Sequence, residues 1–242
     1  MKKCPRCMKY DHDTTRFCRY CNTELFFVER FEINESESRS SGLNRFIARQ
    51  LSNPSGLGGR AVSSVMSRQN RPLYEETIRL LSPSDTDSVL DIGCGNGYVL
   101  NMFANRFDCT LTGIDISPSA IKFASKRNRK FIKSGRMNFI RQDMNKTPFS
   151  DCTFDKIYTI NTVYFWKNLN DTMEEIRRVL KPGGLFINSL FTNETLSRFS
   201  HTKFGYKRYT PEQLTSENDG FTIDVVSVFS GKAYCVLYRK EI

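Results

Sequence analysis

The sequence predicts an α/β protein whose main domain is a doubly wound, mainly parallel sheet with helices on both faces. The first observation behind this prediction is an alternation of short apolar strands and helices from residue 84 onward. The second is a glycine-rich turn after the first of these strands. The third is a pair of C-terminal strand segments joined at Ser230-Gly231, which predicts an antiparallel hairpin at one sheet edge.

The strands and helices of this domain follow one another in a regular order. Strands are predicted at Ser88–Ile92, Thr110–Ile114, Asn138–Arg141, Lys156–Ile160, Leu185–Phe191, Phe221–Val228 and Ala233–Arg239. Helices are predicted at Tyr98–Asn105, Pro118–Asn128 and Asp171–Leu180, with a helical turn at Pro211–Leu214. Before them, the spacing of apolar residues predicts helices at 43–51, at 61–69 and from Pro72 onward. The expected sheet therefore has seven strands.

Composition sets the class of protein and its domain organisation. A chain of 242 residues, 39% hydrophobic and 26% charged, fits one globular domain plus a small extra piece. We expect a zinc-binding module at residues 1–30, a Ser/Glu-rich linker at 31–42 and the α/β domain at 43–242. No apolar run reaches the ~18–20 residues of a membrane span, and no hydrophobic segment follows the N-terminal lysines as in a secretory signal. We therefore expect a cytoplasmic protein with reduced cysteines.

A glycine loop with an acidic residue on either side carries the strongest functional signal. The loop reads GCGNG at 93–97, Asp91 precedes it, and the second strand is followed by Asp115. Glycines let the backbone approach a ligand closely, and Asp115 can accept hydrogen bonds from both ribose hydroxyls of a nucleoside. Tyr98 stands where a dinucleotide fingerprint needs its third glycine. A carboxylate at Asp91 disfavours pyrophosphate and favours a ligand with an ammonium or sulfonium group.

Together with three further motifs, these features resemble the class I S-adenosylmethionine (SAM)-dependent methyltransferases, in their small-molecule, type 11-like group, over roughly residues 43–242. The matching stretches are LDIGCGNG at 90–97, GIDIS at 113–117, QDM at 142–144, FDKI at 154–157 and LKPGG at 180–184. The resemblance implies a Rossmann-like fold with SAM as cofactor. The cofactor-binding residues that it implies are Asp91, Gly93, Cys94, Gly95 and Gly97 at the methionine portion, Asp115 at the ribose, Asp143 at the adenine amino group, Ile116 and Met144 beside the adenine ring, and Asn161 beside the cofactor.

Four cysteines near the N-terminus indicate a metal site. Cys4 and Cys7 form one C-x-x-C pair, and Cys18 and Cys21 form a second. This spacing matches a tetrahedral, structural Zn²⁺ site and resembles the short zinc ribbons at the start of many microbial proteins. Such a closed site serves folding and docking to a protein partner rather than catalysis. Disulfide pairing is the alternative, which a reducing compartment disfavours.

A basic segment leaves a second class of partner open. The chain has a net charge of +10. Eight basic residues and no acidic one lie between residues 116 and 142, namely Lys122, Lys126, Arg127, Arg129, Lys130, Lys133, Arg136 and Arg141. They form either a phosphate-contacting face or a solvated surface.

The segment after the fourth strand predicts the kind of methyl acceptor. In the family it faces the transferred methyl group, and here residues 161–166 read NTVYFW, without the paired prolines of enzymes that methylate base amines. We expect Tyr164, Trp166 and Tyr206 to line the acceptor, with Tyr164 and His201 as candidate general bases. The predicted function is methyl transfer to a small molecule. An RNA methyltransferase and a non-catalytic SAM-binding adaptor are the alternatives.

Overall fold

The structure, a computed structural model, divides the chain into two compact units, Met1–Glu37 and Ser38–Ile242. It describes residues 2–3, 10–11, 39–52, 70–216 and 219–242. The described residues of the first unit form two short antiparallel strands, β1 (Lys2–Lys3) and β2 (Tyr10–Asp11). The predicted zinc ligands Cys4, Cys7, Cys18 and Cys21 and the predicted helix at 61–69 lie outside the described residues.

The second unit alternates helices and strands. Its described helices are α1 (Arg39–Ser52), α2 (Arg71–Leu81), α3 (Tyr98–Ala104), α4 (Pro118–Arg127), α5 (Arg129–Lys133), α6 (Leu169–Val179), α7 (Asn193–Ser197) and α8 (Pro211–Thr215), with 3₁₀ turns at Val163–Phe165 and Ser200–Lys203. Its strands are β3 (Ser88–Ile92), β4 (Thr110–Asp115), β5 (Met137–Arg141), β6 (Phe154–Ile160), β7 (Leu180–Phe191), β8 (Phe221–Val228) and β9 (Ala233–Lys240). Within the described part of the chain, no helix is long and apolar enough to cross a bilayer.

The seven strands form one sheet in the order β5-β4-β3-β6-β7-β9-β8. The pairs among β5, β4, β3, β6 and β7 are parallel. β9 pairs antiparallel with both β7 and β8. The predicted mainly parallel, seven-stranded α/β sheet with an antiparallel C-terminal hairpin is therefore confirmed. The order reverses between β3 and β6, which is where ligands bind in open α/β sheets.

Helices cover both faces of the sheet because side chains along each strand alternate between the faces. Val89 of β3 belongs to a core that includes Leu81 of α2 and Phe103 of α3. Leu90, the next residue, belongs to the opposite core, which includes Ile176 of α6. With both faces packed, the carboxyl ends of the strands are the natural place for a ligand.

Two elements begin four or five residues earlier than predicted, and the other differences are smaller. The helix α1 begins at Arg39, inside the stretch that the sequence suggests as a linker. The strand β7 begins at Leu180 rather than at the predicted Leu185, so it includes the Pro-Gly-Gly stretch. Leu180 pairs with Phe154, and the register of the two strands shifts after that pair. The Nζ atom of Lys181 binds the carboxylate of Asp155 at 2.8 and 2.9 Å, which ties this irregular start to β6.

Candidate functional site

The glycine loop lies between the carboxyl end of β3 and the start of α3, and its own backbone holds its shape. The amides of Gly93 and Cys94 both donate to the carbonyl of Ile114 on β4, at 2.9 and 3.0 Å. The amide of Gly97 donates to the carbonyl of Cys94 at 2.9 Å. Gly93 and Gly97 adopt φ values of +75° and +67°, a region that favours glycine. The loop is therefore a preformed turn at the sheet edge.

Asn128, which sequence reasoning missed, anchors this loop from the break between α4 and α5. It is fully buried, and its Nδ2 donates to the carbonyls of Gly97 and Ala124, both at 3.0 Å. Its Oδ1 accepts from Asn101 Nδ2 at 2.9 Å. No local pattern marks this residue, since it lies 31 positions from Gly97 and stands among basic residues that draw attention to surface charge.

Asp91 lies beneath the glycine loop rather than at its surface. Its side chain is 3% exposed, and its Oδ2 accepts from the Tyr158 hydroxyl at 2.8 Å. Burial raises the pKa of Asp91 to about 8, against the lowering effect of the Tyr158 hydrogen bond and with a small contribution from the charge of Asp115. The carboxyl is therefore largely neutral at pH 7. The attraction for a sulfonium or ammonium group that we expected from Asp91 is weak unless the ligand's own charge lowers that pKa.

Cys94 takes a structural position in the loop. It is buried and free. Burial raises the pKa of its thiol well above the usual range, and the nearby Asp91 and Asp115 act in the same direction. A thiol that stays protonated is a poor nucleophile, so Cys94 fills a small position in the loop rather than acting as a nucleophile.

Asp115 connects the loop to the second strand. Its Oδ2 accepts from the Gly95 amide at 3.0 Å, and its Oδ1 accepts from the Ser117 amide at 2.8 Å. Burial raises the pKa of Asp115, and these two backbone hydrogen bonds oppose that shift. A carboxylate has about four acceptor sites, so Asp115 can still accept hydrogen bonds from two hydroxyl groups of a ligand.

A cavity of about 280 Å³ is lined by Ile116, Arg141, Gln142 and Asp143. The first of these residues follows Asp115 directly in the sequence. Ile116 is 51% exposed, which leaves an apolar surface open beside a carboxylate. The Oδ2 of Asp143 lies 3.3 Å from Lys167 Nζ in a solvent-exposed ion pair. The structure thus brings together Ile116 and Asp143, two of the three predicted adenine contacts. The third, Met144, is buried in the core under this surface.

The segment after β6 forms an aromatic cluster with the segment after β7. The ring of Tyr206 lies 5.4 Å from that of Tyr164 and 4.7 Å from that of Phe165, between centroids. His201 lies 6.0 Å from Tyr206. Trp166 is buried, and its carbonyl accepts from Lys207 Nζ at 2.6 Å. The structure therefore brings the predicted acceptor-lining residues together.

The two candidate bases differ in what they can do. Tyr164 is 1% exposed, and burial raises its pKa far above the usual value. Its hydroxyl is used in hydrogen bonds to Asn161 Oδ1 and from the Phe191 amide. Burial lowers the pKa of His201, so the imidazole is largely neutral at pH 7 and can accept a proton. Tyr164 already uses its hydroxyl within the fold, which leaves His201 as the candidate base.

The basic segment is partly committed to contacts within the domain. Arg136 pairs with Asp108 at 3.0 Å, Lys130 donates to Asn105 at 3.1 Å, and the Arg127 guanidinium stacks over the Tyr98 ring at 5.3 Å. Arg141 donates to the Ile116 carbonyl at 3.3 Å. These four side chains would therefore have to give up contacts within the domain in order to bind phosphate groups.

The arrangement fits a nucleoside that carries an amino-acid portion. The preformed glycine loop, the Asp115 carboxylate with acceptor sites to spare, and the open surface at Ile116 and Asp143 follow one another along the sheet edge. The buried Nδ2 of Asn161 has no partner among the residues that the structure describes.

A metal site is a separate question from the cofactor site. The described residues contain no group of three or more potential metal-ligating side chains.

Comparison with known proteins supports the same interpretation. Residues 90–188 match a family model described as "Methyltransferase domain". The chain is 40% identical to sterol 4-C-methyltransferase strm-1 of Caenorhabditis elegans over 107 residues, which cover 44% of this chain and 32% of that enzyme. It is 32% identical to an O-methyltransferase of Pyrenophora dematioidea over 108 residues, which cover 45% of this chain and 40% of that enzyme. The chain thus spans less than half the length of these two curated relatives.

The fold also matches solved structures. Geranyl diphosphate C-methyltransferase from Streptomyces coelicolor A3(2), solved with Mg²⁺, geranyl diphosphate and S-adenosyl-L-homocysteine, gives a TM-score of 0.61 at 16% identity over 80% of this chain and 87% of that chain. At this identity the likeness shows the fold alone. Residues 90–188 are therefore similar to a methyltransferase domain in sequence, and the fold around them is one that a solved methyltransferase shares.

Proposed function

We propose that this protein is a SAM-dependent methyltransferase that acts on a small-molecule acceptor. The observation that carries the proposal is the hydrogen bond from the Gly95 amide to Asp115 Oδ2, because it joins the glycine loop and the ribose-binding acid into one surface. The match of residues 90–188 to the methyltransferase domain supports it.

The proposed cofactor contacts follow the sheet edge. The loop at Gly93, Gly95 and Gly97, with Cys94 and Asp91 beneath it, would enclose the methionine portion. Asp115 would accept from the ribose hydroxyls, and Asp143 would accept from the adenine amino group beside Ile116. Asp143 would have to break its ion pair with Lys167 to make that contact. The free-energy cost is small because the ion pair is exposed to solvent. Met144 supports the ring from the core rather than by direct exposure.

When bound, SAM would supply a methyl group on a positively charged sulfur: an acceptor nucleophile would bond to the methyl carbon in line as the methyl–sulfur bond breaks, with S-adenosylhomocysteine as the leaving group. The contribution of this chain is to hold the acceptor close and correctly oriented. Tyr206, with Phe165 and Trp166 nearby, would offer an apolar, aromatic environment, and His201, whose ring lies 6.0 Å from that of Tyr206, would take a proton from an acceptor hydroxyl. The name of one curated relative, a sterol 4-C-methyltransferase, supports an apolar small molecule as the acceptor class.

Isothermal calorimetry of the purified chain tests the cofactor assignment. We expect binding of S-adenosylhomocysteine at a micromolar-order Kd and no binding of NAD, because Tyr98 occupies the position of the third dinucleotide glycine. Binding of NAD instead would overturn the proposal. Binding of S-adenosylhomocysteine without methyl transfer to any fraction of a cell extract would favour an adaptor.

The proposal includes a zinc ribbon at residues 1–30 that docks a protein partner, in a reducing, cytoplasmic setting. The support is the C-x-x-C spacing of Cys4, Cys7, Cys18 and Cys21. Metal analysis should find about one zinc per chain, lost in the Cys4→Ser/Cys18→Ser variant. Metal-free protein with an ordered N-terminus would refute the ribbon.

A further inference from the structure

In the side-chain amide of Asn161, at the carboxyl end of β6, the oxygen has a hydrogen-bond partner and the nitrogen has none among the described residues. Its Oδ1 accepts from the Tyr164 hydroxyl at 3.0 Å. Its Nδ2 is buried and has no hydrogen-bond partner in the described part of the chain. An unsatisfied buried donor costs about 1–3 kcal/mol, so this arrangement calls for a ligand or another explanation.

The backbone of Asn161 is also held in an uncommon conformation. Its φ is +58°, a left-handed value that asparagine tolerates better than most residues. The backbone amide of Asn161 donates to the carbonyl of Ser189 on β7 at 2.8 Å, which continues the strand pairing past the end of β6. Strained residues that are held firmly in this way are concentrated at functional sites.

Tyr164 determines which way the side-chain amide of Asn161 points. Its hydroxyl accepts from the Phe191 amide at 2.7 Å, and its own hydrogen has Asn161 Oδ1 at 3.0 Å or the Phe191 carbonyl at 3.5 Å as acceptor. The shorter contact is the stronger one. Because the hydroxyl donates, the amide atom that faces it must be the oxygen, and Nδ2 is turned away from the tyrosine.

The glycine loop has few amides left for an anion. Those of Gly93 and Cys94 donate to Ile114, that of Gly95 donates to Asp115, and that of Gly97 donates to Cys94. Asn161 is close to this loop. Thr162, the next residue, is the nearest neighbour of a Cβ built on Gly93, and the Thr159 hydroxyl donates to the carbonyl of Ile92 at 2.9 Å.

From these contacts we infer that Tyr164 is a positioning residue, which aims Asn161 Nδ2 at the carboxylate of the cofactor's amino-acid portion. The inference rests on the proposed function and sharpens it, because it gives Tyr164 a role in cofactor binding instead of proton transfer. Asn161 Nδ2 supplies the donor that the loop amides cannot. The backbone amide of Phe191 holds the Tyr164 hydroxyl in place, and that hydroxyl in turn orients the side-chain amide of Asn161.

The test uses two nucleoside ligands and three variants. S-adenosylhomocysteine carries the carboxylate, whereas 5′-methylthioadenosine shares its nucleoside and thioether but lacks the amino-acid portion. Tyr164→Phe removes only the hydroxyl. Asn161→Asp keeps the acceptor for Tyr164 and replaces the donor with an acceptor. Tyr238→Phe is the control, since Tyr238 is also 1% exposed and its hydroxyl donates to the Leu214 carbonyl at 2.8 Å, in the contact between β9 and α8.

We expect Tyr164→Phe to weaken S-adenosylhomocysteine binding about fivefold to tenfold in calorimetry and Asn161→Asp to weaken it further, because a carboxylate would then face a carboxylate. Neither change should alter the Kd of 5′-methylthioadenosine, and Tyr238→Phe should alter neither Kd. Equal losses for both ligands, or unchanged S-adenosylhomocysteine binding in either variant, would overturn the inference while the proposed function stands. If the unaltered protein binds neither ligand, the proposed function fails and the inference fails with it. Asn161→Asp carries the test if Tyr164→Phe does not fold.

Discussion

The loop after β3 and the segment after β6 lie at the same edge of the sheet, but different kinds of contact hold them. The first is built from backbone hydrogen bonds of neighbouring residues, such as Gly97 to Cys94, and from glycines with positive φ. The second depends on side chains that meet across the fold, such as Tyr164 with the Phe191 amide and Lys207 with the Trp166 carbonyl. The turn of the glycine loop therefore depends largely on its own backbone, whereas the aromatic segment depends on side chains from distant parts of the chain.

The largest expected effect concerns the glycine loop. A Cβ on Gly97 would lie 2.6 Å from Asn128 Nδ2 and 2.9 Å from Ala124 Cβ, at a φ of +67°. Gly97→Ala should therefore cost about 1–3 kcal/mol for overpacking in addition to about 1–2 kcal/mol for the left-handed backbone. Urea unfolding measures this loss. Gly183→Ala is the matched control, because Gly183 has a φ of +73° and no neighbour within 4 Å. Equal losses in the two variants would contradict the role of Asn128.

The two acidic cofactor contacts should differ in strength. Asp115→Asn should weaken S-adenosylhomocysteine binding by about 1.5–3 kcal/mol, because a charge-assisted hydrogen bond in a mostly buried position is lost. Asp143→Asn should cost less than about 1 kcal/mol, since Asp143 is more exposed and already paired with Lys167. Calorimetry of both variants checks the order. A larger loss at Asp143 would show that the adenine contact dominates.

A pH dependence follows from Asp91. Burial raises the pKa of Asp91 from its ordinary value of 3.8 to about 8 in the folded chain, so between these pH values the folded state holds a proton that the unfolded state has lost. The contribution of Asp91 to stability is therefore fully present below about pH 4 and is lost as the pH rises toward 8. In Asp91→Asn, the decline of the unfolding free energy between pH 5 and 8 should be shallower. An unchanged slope would refute the raised pKa.

The smallest effect is expected at the basic segment. Lys122, Lys126 and Lys133 are exposed, and reversing all three charges should leave S-adenosylhomocysteine binding and methyl transfer near normal, as for a solvated surface. Methyl-transfer assays on extract fractions, with and without RNase, provide the measurement. Loss of transfer with intact cofactor affinity, together with an RNase-sensitive acceptor, would identify RNA as the substrate.

The sequence predicted the sheet well because strand and helix periodicity is a local property. The strand at Phe221–Val228 was predicted with the bounds that the structure has. The same holds for the glycine loop and Asp115, which lie within one βαβ unit. The burial of Asp91 against Tyr158, 67 positions away, and the anchoring role of Asn128 could not be predicted, since both depend on which strands and helices become neighbours. For the same reason, Tyr164 was expected to be a base, although the structure uses its hydroxyl in two hydrogen bonds.

Transfer of a labelled methyl group from SAM into a fractionated cell extract tests the central claim most directly. The full chain and its Asp115→Asn variant would be compared at the same SAM concentration, with RNase-treated and untreated extract. We predict label in a small-molecule fraction that resists RNase, and strongly reduced label with Asp115→Asn at SAM concentrations below saturation, because the variant loses ribose contacts. Equal labelling by both proteins, or no labelling by the full chain, would contradict the account.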